Sequence, residues 1–201
     1  MIGKYFLDKC LSTTIEKQPW PHQVITESLP TDSFDKLKKS CEPYLNAGNK
    51  LIHFHAKDFK ENNIDWYDEM MELGETILNN AKKIVKLYPT YRWFPKLSLN
   101  GHISITPPLP YKFPIHQEGL DKIWSSVTYI TPEKNVGTKM YIAEQEESFV
   151  KEAEWCPNNT FIFCGEQGKT WHSYESGADT CRITLNFFLM KDSPKNYLRQ
   201  Q

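Results

Sequence analysis

Between residues 91 and 190 the chain alternates. Leu97, Leu99, Ile103 and Ile105 recur every second position, with Ser98, Asn100, His102, Ser104 and Thr106 between them. Successive side chains of a strand point to opposite faces, so this spacing predicts a strand with one apolar and one polar face. Shorter segments of similar character follow at 113–118, 124–131, 138–143, 160–164, 170–174 and 181–190, most of them separated by turn-forming residues. Such a series constrains the fold to an antiparallel barrel or sandwich, mainly β, with helices packed outside it.

The helices come from the first ninety residues. Residues 1–20 show no clear period, and 23–27 reads as a short strand before a Ser28-Leu29-Pro30 turn. Phe34, Leu37 and Cys41 predict a helix over 34–42, with N-cap candidates in Thr31-Asp32-Ser33 and a stop at Pro43. Residues 51–55 form a possible strand. A long helix is expected over 66–87, its stripe running through Met70, Leu73, Ile77, Ala81, Ile84 and Val85. The expected organisation is one domain over 1–201, with 1–90 as a helix-rich support and 91–190 as the core carrying the site.

Bulk properties exclude some function classes. A formal net charge of −1 gives no general attraction to nucleic acid or anionic membranes. No apolar run reaches the length of a membrane span, and the first residues are too polar for a secretory signal. Five cysteines without CxxC spacing argue against a disulfide framework; they read as buried small apolar residues in a reducing compartment. A cytoplasmic protein is expected (host cytoplasm if the source is viral).

The last strand raises the functional question. Arg182, Thr184 and Asn186 share one face, and Ile183, Leu185 and Phe187 the other. If helices cover the apolar faces, the polar faces look into the barrel, and a polar-lined interior is a site. His116 and Glu118, two apart on an expected strand, form two metal ligands in search of a third, and His172 is the natural candidate. Two histidines and a carboxylate on one side of a metal suit non-haem Fe(II). Asp121 is an alternative carboxylate if Gly119-Leu120 bends the chain back. His53 and His55 also have ligand spacing, but no third ligand follows them in pattern, so they read as structural.

His116-x-Glu118, then His172, then Arg182-x-Thr184 resembles the Fe(II)/2-oxoglutarate-dependent oxygenase superfamily. More narrowly it is similar to the prolyl-4-hydroxylase-like branch and its phage-encoded members. The resemblance covers roughly residues 96–190 and implies a double-stranded β-helix, the jelly-roll barrel. It implies that His116, Glu118 and His172 hold Fe(II) and that 2-oxoglutarate and O₂ take the open positions. Arg182 and Thr184 would receive the far carboxylate of the cosubstrate, since a buried carboxylate needs a charged, hydrogen-bonded partner. Tyr129 is a further cosubstrate-binding candidate, and Asn100 and His102 are candidates for the same pocket. The implied reaction converts 2-oxoglutarate to succinate and CO₂ while a substrate C–H bond is hydroxylated. Glu118 departs from the commoner aspartate. Phe188 stands where nucleic-acid demethylases of the superfamily carry a second arginine, so a nucleic-acid substrate is not expected. The substrate and the oligomeric state are not encoded in any motif. The competing reading is a non-catalytic jelly-roll module, which has no need to bury Arg182-x-Thr184.

Overall fold

Two antiparallel sheets enclose a cavity, with helices packed chiefly on the outside of the larger sheet. The computed structural model describes residues 1–89 and 96–191; the expected onset of alternation at residue 91 lies outside them. The elements are α1 (Ile2–Ser12), β1 (His22–Ile25), α2 (Thr31–Cys41), β2 (Ile52–His55), α3 (Tyr67–Asn79) and α4 (Ala81–Val85). Then come β3 (Leu97–Thr106), β4 (Lys112–His116), β5 (Lys122–Thr131), β6 (Thr138–Tyr141), β7 (Phe149–Ala153), β8 (Thr160–Phe163), β9 (Trp171–Glu175) and β10 (Arg182–Lys191). The larger sheet has the order β1-β8-β5-β10-β3-β2, and the smaller has β4-β9-β6-β7. The fold is a mainly β jelly roll with flanking helices.

The two faces of β3 and β10 divide as the alternation demands. Ile103, Ile105, Ile183, Leu185, Phe187 and Leu189 join one apolar core with Phe6, Phe34, Leu37, Met70, Leu73 and Ile77 of the helices. Each such apolar side chain, removed from water, stabilises the fold by about 1.5–3 kcal/mol. The even-numbered residues between them, His102, Ser104, Thr106, Arg182, Thr184 and Asn186, line the cavity. Long antiparallel pairing locks this parity: Arg182 lies opposite Thr106 and Asn186 opposite His102. A slip of one residue would turn every one of these polar groups into the helix-covered core.

Several boundaries differ from expectation for identifiable reasons. Residues 2–12 form a helix although no period was evident, because only Ile2, Phe6 and Cys10 mark its buried face. That helix lies close against α3: a Cβ on Gly3 would stand 2.0 Å from Thr76 Oγ1, and the Gly3 amide donates to Glu72 Oε1 at 3.0 Å. The helix expected over 66–87 breaks at Asn80, whose side-chain amide donates to the Thr76 carbonyl at 2.9 Å. The helix expected from residue 34 begins at Thr31. Its N-cap is Pro30, so Thr31-Asp32-Ser33 make its first turn and supply no side-chain cap. Strand β7 was not expected; it is an edge strand whose Phe149 and Val150 are both exposed, so it lacks alternation. Trp171 alternates away from His172, which predicts packing beneath a helix; it is instead half-buried on β9 of the smaller sheet. Four cysteines are buried as expected, whereas Cys156 is exposed. Among the described residues no helix is long and apolar enough to cross a membrane.

Candidate active site

A cavity of about 240 Å³ opens between the sheets, walled by β3, β5 and β10 on one side and by β4, β6 and β9 on the other. His116 and His172 both line it, directly opposite each other where β4 pairs with β9, with ring centroids 4.2 Å apart. Each ring is pinned in the same way: Nδ1 lies 2.9 Å from the carbonyl oxygen two residues earlier, Pro114 for His116 and Thr170 for His172. A carbonyl only accepts, so each Nδ1 donates and each Nε2 keeps its lone pair. That tautomer is the one a metal-binding imidazole requires, and backbone support of this kind fixes ring orientation. His172 is 6% exposed, and burial, with the His116 ring second, lowers its pKa from 6.5 to about 4. It is therefore neutral over the physiological range.

Glu118 requires a correction. Strand β4 ends at His116, so Glu118 is not a strand neighbour of His116 but lies in the following turn. The turn is closed by the Lys122 amide on the Gly119 carbonyl and held by Gln167 Nε2 on the Glu118 carbonyl. It still delivers the carboxylate to the cavity wall, 6% exposed. There Ser125 Oγ donates to Oε1 at 2.5 Å and Lys122 Nζ to Oε2 at 2.8 Å. Burial works against its charge, but His172, Lys122 and Ser125 outweigh it and hold the carboxyl below the usual carboxylate range. Asp121, the alternative carboxylate, is not among the cavity-lining residues.

Both oxygens of Glu118 are thus engaged, and among the described residues no three His, Cys, Asp or Glu side chains converge as a ready metal cage. The donor set nevertheless fits Fe(II) in kind: two imidazole nitrogens free to ligate and one ionised carboxylate in one cavity. Lys122 is the cation that the metal would have to replace at Glu118. Replacing it with methionine removes both the competitor and a positive charge beside the metal. Lys122→Met is expected to tighten Mn(II) binding by about tenfold while lowering the melting temperature of the metal-free protein, because Glu118 then loses its counter-ion. Calorimetric titration and thermal unfolding check this, and Lys122→Arg should behave like wild type.

Arg182 occupies the other end of the cavity. It is 2% exposed, and its guanidinium carbon lies 4.9 Å from the Trp155 and Tyr174 ring centroids and 5.5 Å from that of Tyr129. Its Nε donates to the Val136 carbonyl at 3.4 Å, and Nη2 is buried without an acceptor. Thr106 Oγ1, on the residue paired with Arg182, is likewise buried and unpartnered. Thr184 lines the cavity two residues further on. Unsatisfied donors this deep cost free energy unless a ligand accepts from them.

The remaining candidates divide. Tyr129 stands behind Arg182 and is not a lining residue; its hydroxyl donates to Thr138 Oγ1 or the Ala153 carbonyl, both at 3.1 Å, and accepts from the Thr138 amide at 3.0 Å. Asn100 is exposed on β3 and lies outside the cavity lining. His102 does line it, and its partners are His53 and His55, which were read as structural for want of a third ligand in pattern. The third histidine comes from β3, the strand paired with β2. Lys122 and Tyr174 went unnoticed, since neither has a local signal that marks it as a neighbour of Glu118 or Arg182.

Burial, with His53 as the next cause, pushes the pKa of His102 down to about 3, and burial also lowers that of His22. The unfolded chain binds these protons near pH 6.5, the folded chain only at lower pH. Stability is therefore full above about pH 6.5 and falls on acidification towards pH 4, by up to about 1.4 kcal/mol per pH unit for each such histidine. Urea unfolding of the metal-free protein between pH 7.5 and 4.5 checks this, and His102→Gln should flatten the slope.

No protein-family model and no curated protein matches the sequence. Solved structures do match the fold. A prolyl-4-hydroxylase from Pseudomonas putida aligns with a TM-score of 0.56 at 14% identity, over 96% of this chain and 100% of that one. A prolyl hydroxylase from Trichoplax adhaerens, solved with a hypoxia inducible factor oxygen degradation domain peptide fragment, aligns with a TM-score of 0.61 at 8% identity, over 94% and 89%. A viral collagen prolyl hydroxylase from Paramecium Bursaria Chlorella virus-1 gives 0.56 at 11% identity, over 86% and 90%. The chain therefore has a prolyl-4-hydroxylase-like fold.

Proposed function

We propose that the chain is an Fe(II)- and 2-oxoglutarate-dependent dioxygenase that hydroxylates a C–H bond of a substrate still to be identified, releasing succinate and CO₂. The observation that carries this reading is the sharing of one cavity by two Nδ1-pinned imidazoles and a buried guanidinium that lacks an acceptor. His116 and His172 would hold iron through Nε2, and Glu118 through its carboxylate. Arg182 and Thr184 would receive the distal carboxylate of 2-oxoglutarate, with Thr106 as a further donor. Iron and 2-oxoglutarate supply the oxidising chemistry, one oxygen atom of O₂ entering succinate and the other the substrate.

The protein's own contribution is placement. A rigid planar fork matches a carboxylate bidentately, and the Tyr129, Trp155 and Tyr174 rings hold that fork in one orientation. Phe113, Phe163 and Tyr174 provide apolar wall that keeps the reacting centre dry. Neighbours of the same fold carry the name prolyl hydroxylase, which makes a peptide side chain such as prolyl one substrate class, by analogy of fold alone; a free small molecule is the other. Aerobic incubation of folded protein with Fe(II) and 2-oxoglutarate is expected to yield succinate in an iron-dependent manner. Folded protein that yields none and binds neither iron nor 2-oxoglutarate would instead be a jelly-roll binding module.

A further inference from the structure

The cavity has a second pole. His102, 9% exposed, carries a buried Nδ1 with no hydrogen-bond partner. Its Nε2 lies 3.4 Å from Asn186 Nδ2, a group that only donates, so in the neutral ring the proton sits on Nδ1. The His53 and His55 rings approach His102 at 4.6 and 5.4 Å. His55 Nδ1 is spent on the Gly101 carbonyl at 3.2 Å. Phe188 lies 5.6 Å from the His102 ring, and Lys122 Nζ sits 4.0 Å above the Phe188 ring. The Lys122 charge is felt at both His53 and His102. Among the described residues Glu118 is the only acid lining the cavity, and Lys122 already neutralises it.

This end of the cavity is therefore rich in donors and poor in acceptors. His102 and Thr106, the register partner of Arg182, are four positions apart on β3, which places the two poles roughly 13 Å apart along the strand. One small dicarboxylate held at Arg182 does not span that distance as well as leave the metal side open. We propose that the His53–His102–Lys122 pole binds an oxyanion, a carboxylate or phosphate group, carried by the primary substrate. The inference rests on the assignment of the Arg182 pole to the cosubstrate. A cation is disfavoured by Lys122, and a neutral carbonyl would satisfy the Nδ1 donor without using the Lys122 charge. If Glu118 were drawn to iron, Lys122 would lose its counter-ion and be open to a second anion.

The test uses metal-free protein in a zwitterionic buffer, with the histidine ring resonances followed by NMR during titration with inorganic phosphate and, separately, acetate. At least one anion should shift the His53 and His102 signals saturably, and the anion that saturates at the lower concentration identifies the group. The shifts should persist in Arg182→Met. In His102→Phe and Lys122→Met the anion should bind about tenfold more weakly or not at all. Lys122→Met carries the comparison if His102→Phe fails to fold. Non-saturating shifts with both anions, loss of binding in Arg182→Met, or unchanged binding in both pole variants would overturn the proposal. None of these outcomes bears on whether the protein binds iron and 2-oxoglutarate, which is measured separately.

Discussion

Replacing His172 with alanine should reduce iron-dependent succinate formation by at least about 100-fold. Loss of a supporting residue around a bound metal already costs 10- to 100-fold, and His172 would supply a ligand itself. The same result is expected for His116→Ala, and the two losses should not multiply, because one missing ligand already disables the centre. The variants should remain folded. His172 is buried as a neutral ring whose burial opposes protonation, so its removal leaves no unpaired charge. Thermal unfolding of the metal-free proteins separates a ligand role from a structural one. A structural role would lower the melting temperature and reduce activity together, whereas a ligand role reduces activity and abolishes the stabilisation that Mn(II) confers on wild type.

The second large effect belongs to Arg182. Removing one partner of a buried, hydrogen-bonded charge pair costs about 2–5 kcal/mol. Arg182→Met should therefore raise the concentration of 2-oxoglutarate needed for half-maximal turnover by about 30-fold or more. Iron binding should be unchanged, since Arg182 stands at the far end of the cavity from the two histidines. An Arg182→Met protein with wild-type cosubstrate dependence would remove Arg182 from its proposed role.

The strands that carry this site were readable because their two faces differ. Strand β10 announces itself: Ile183, Leu185 and Phe187 against Arg182, Thr184 and Asn186, a split that marks a strand and puts the polar face into the barrel once helices cover the apolar one. Strand β7 did not, because an edge strand with Phe149 and Val150 both exposed has no reason to alternate. Helix α1 escaped notice because three apolar residues at a spacing of four are a thin signal until α3 is there to receive them. At the site, His116, Glu118, His172 and Arg182 stood out by residue type and order, but the bend that takes Glu118 off β4 did not. The Lys122 contact four residues on, the aromatic surround of Arg182, and the meeting of His53 with His102 are products of sheet pairing. A local pattern of residues cannot contain them. Asn100 illustrates the converse: it has the parity of a lining residue, and its register partner Phe188 lines the cavity, yet Asn100 itself is exposed and outside the lining.

The central claim is that one cavity holds Fe(II) through His116, Glu118 and His172 and 2-oxoglutarate through Arg182. Anaerobic titration of the metal-free protein with Fe(II), followed by 2-oxoglutarate, tests it most directly. Saturable binding of one iron, and of one 2-oxoglutarate that is tight only when iron is present, is the predicted result. Iron binding should be lost in His172→Ala, and tight 2-oxoglutarate binding in Arg182→Met. Folded wild-type protein that takes up neither iron nor 2-oxoglutarate, or that binds both equally well in these two variants, would contradict it.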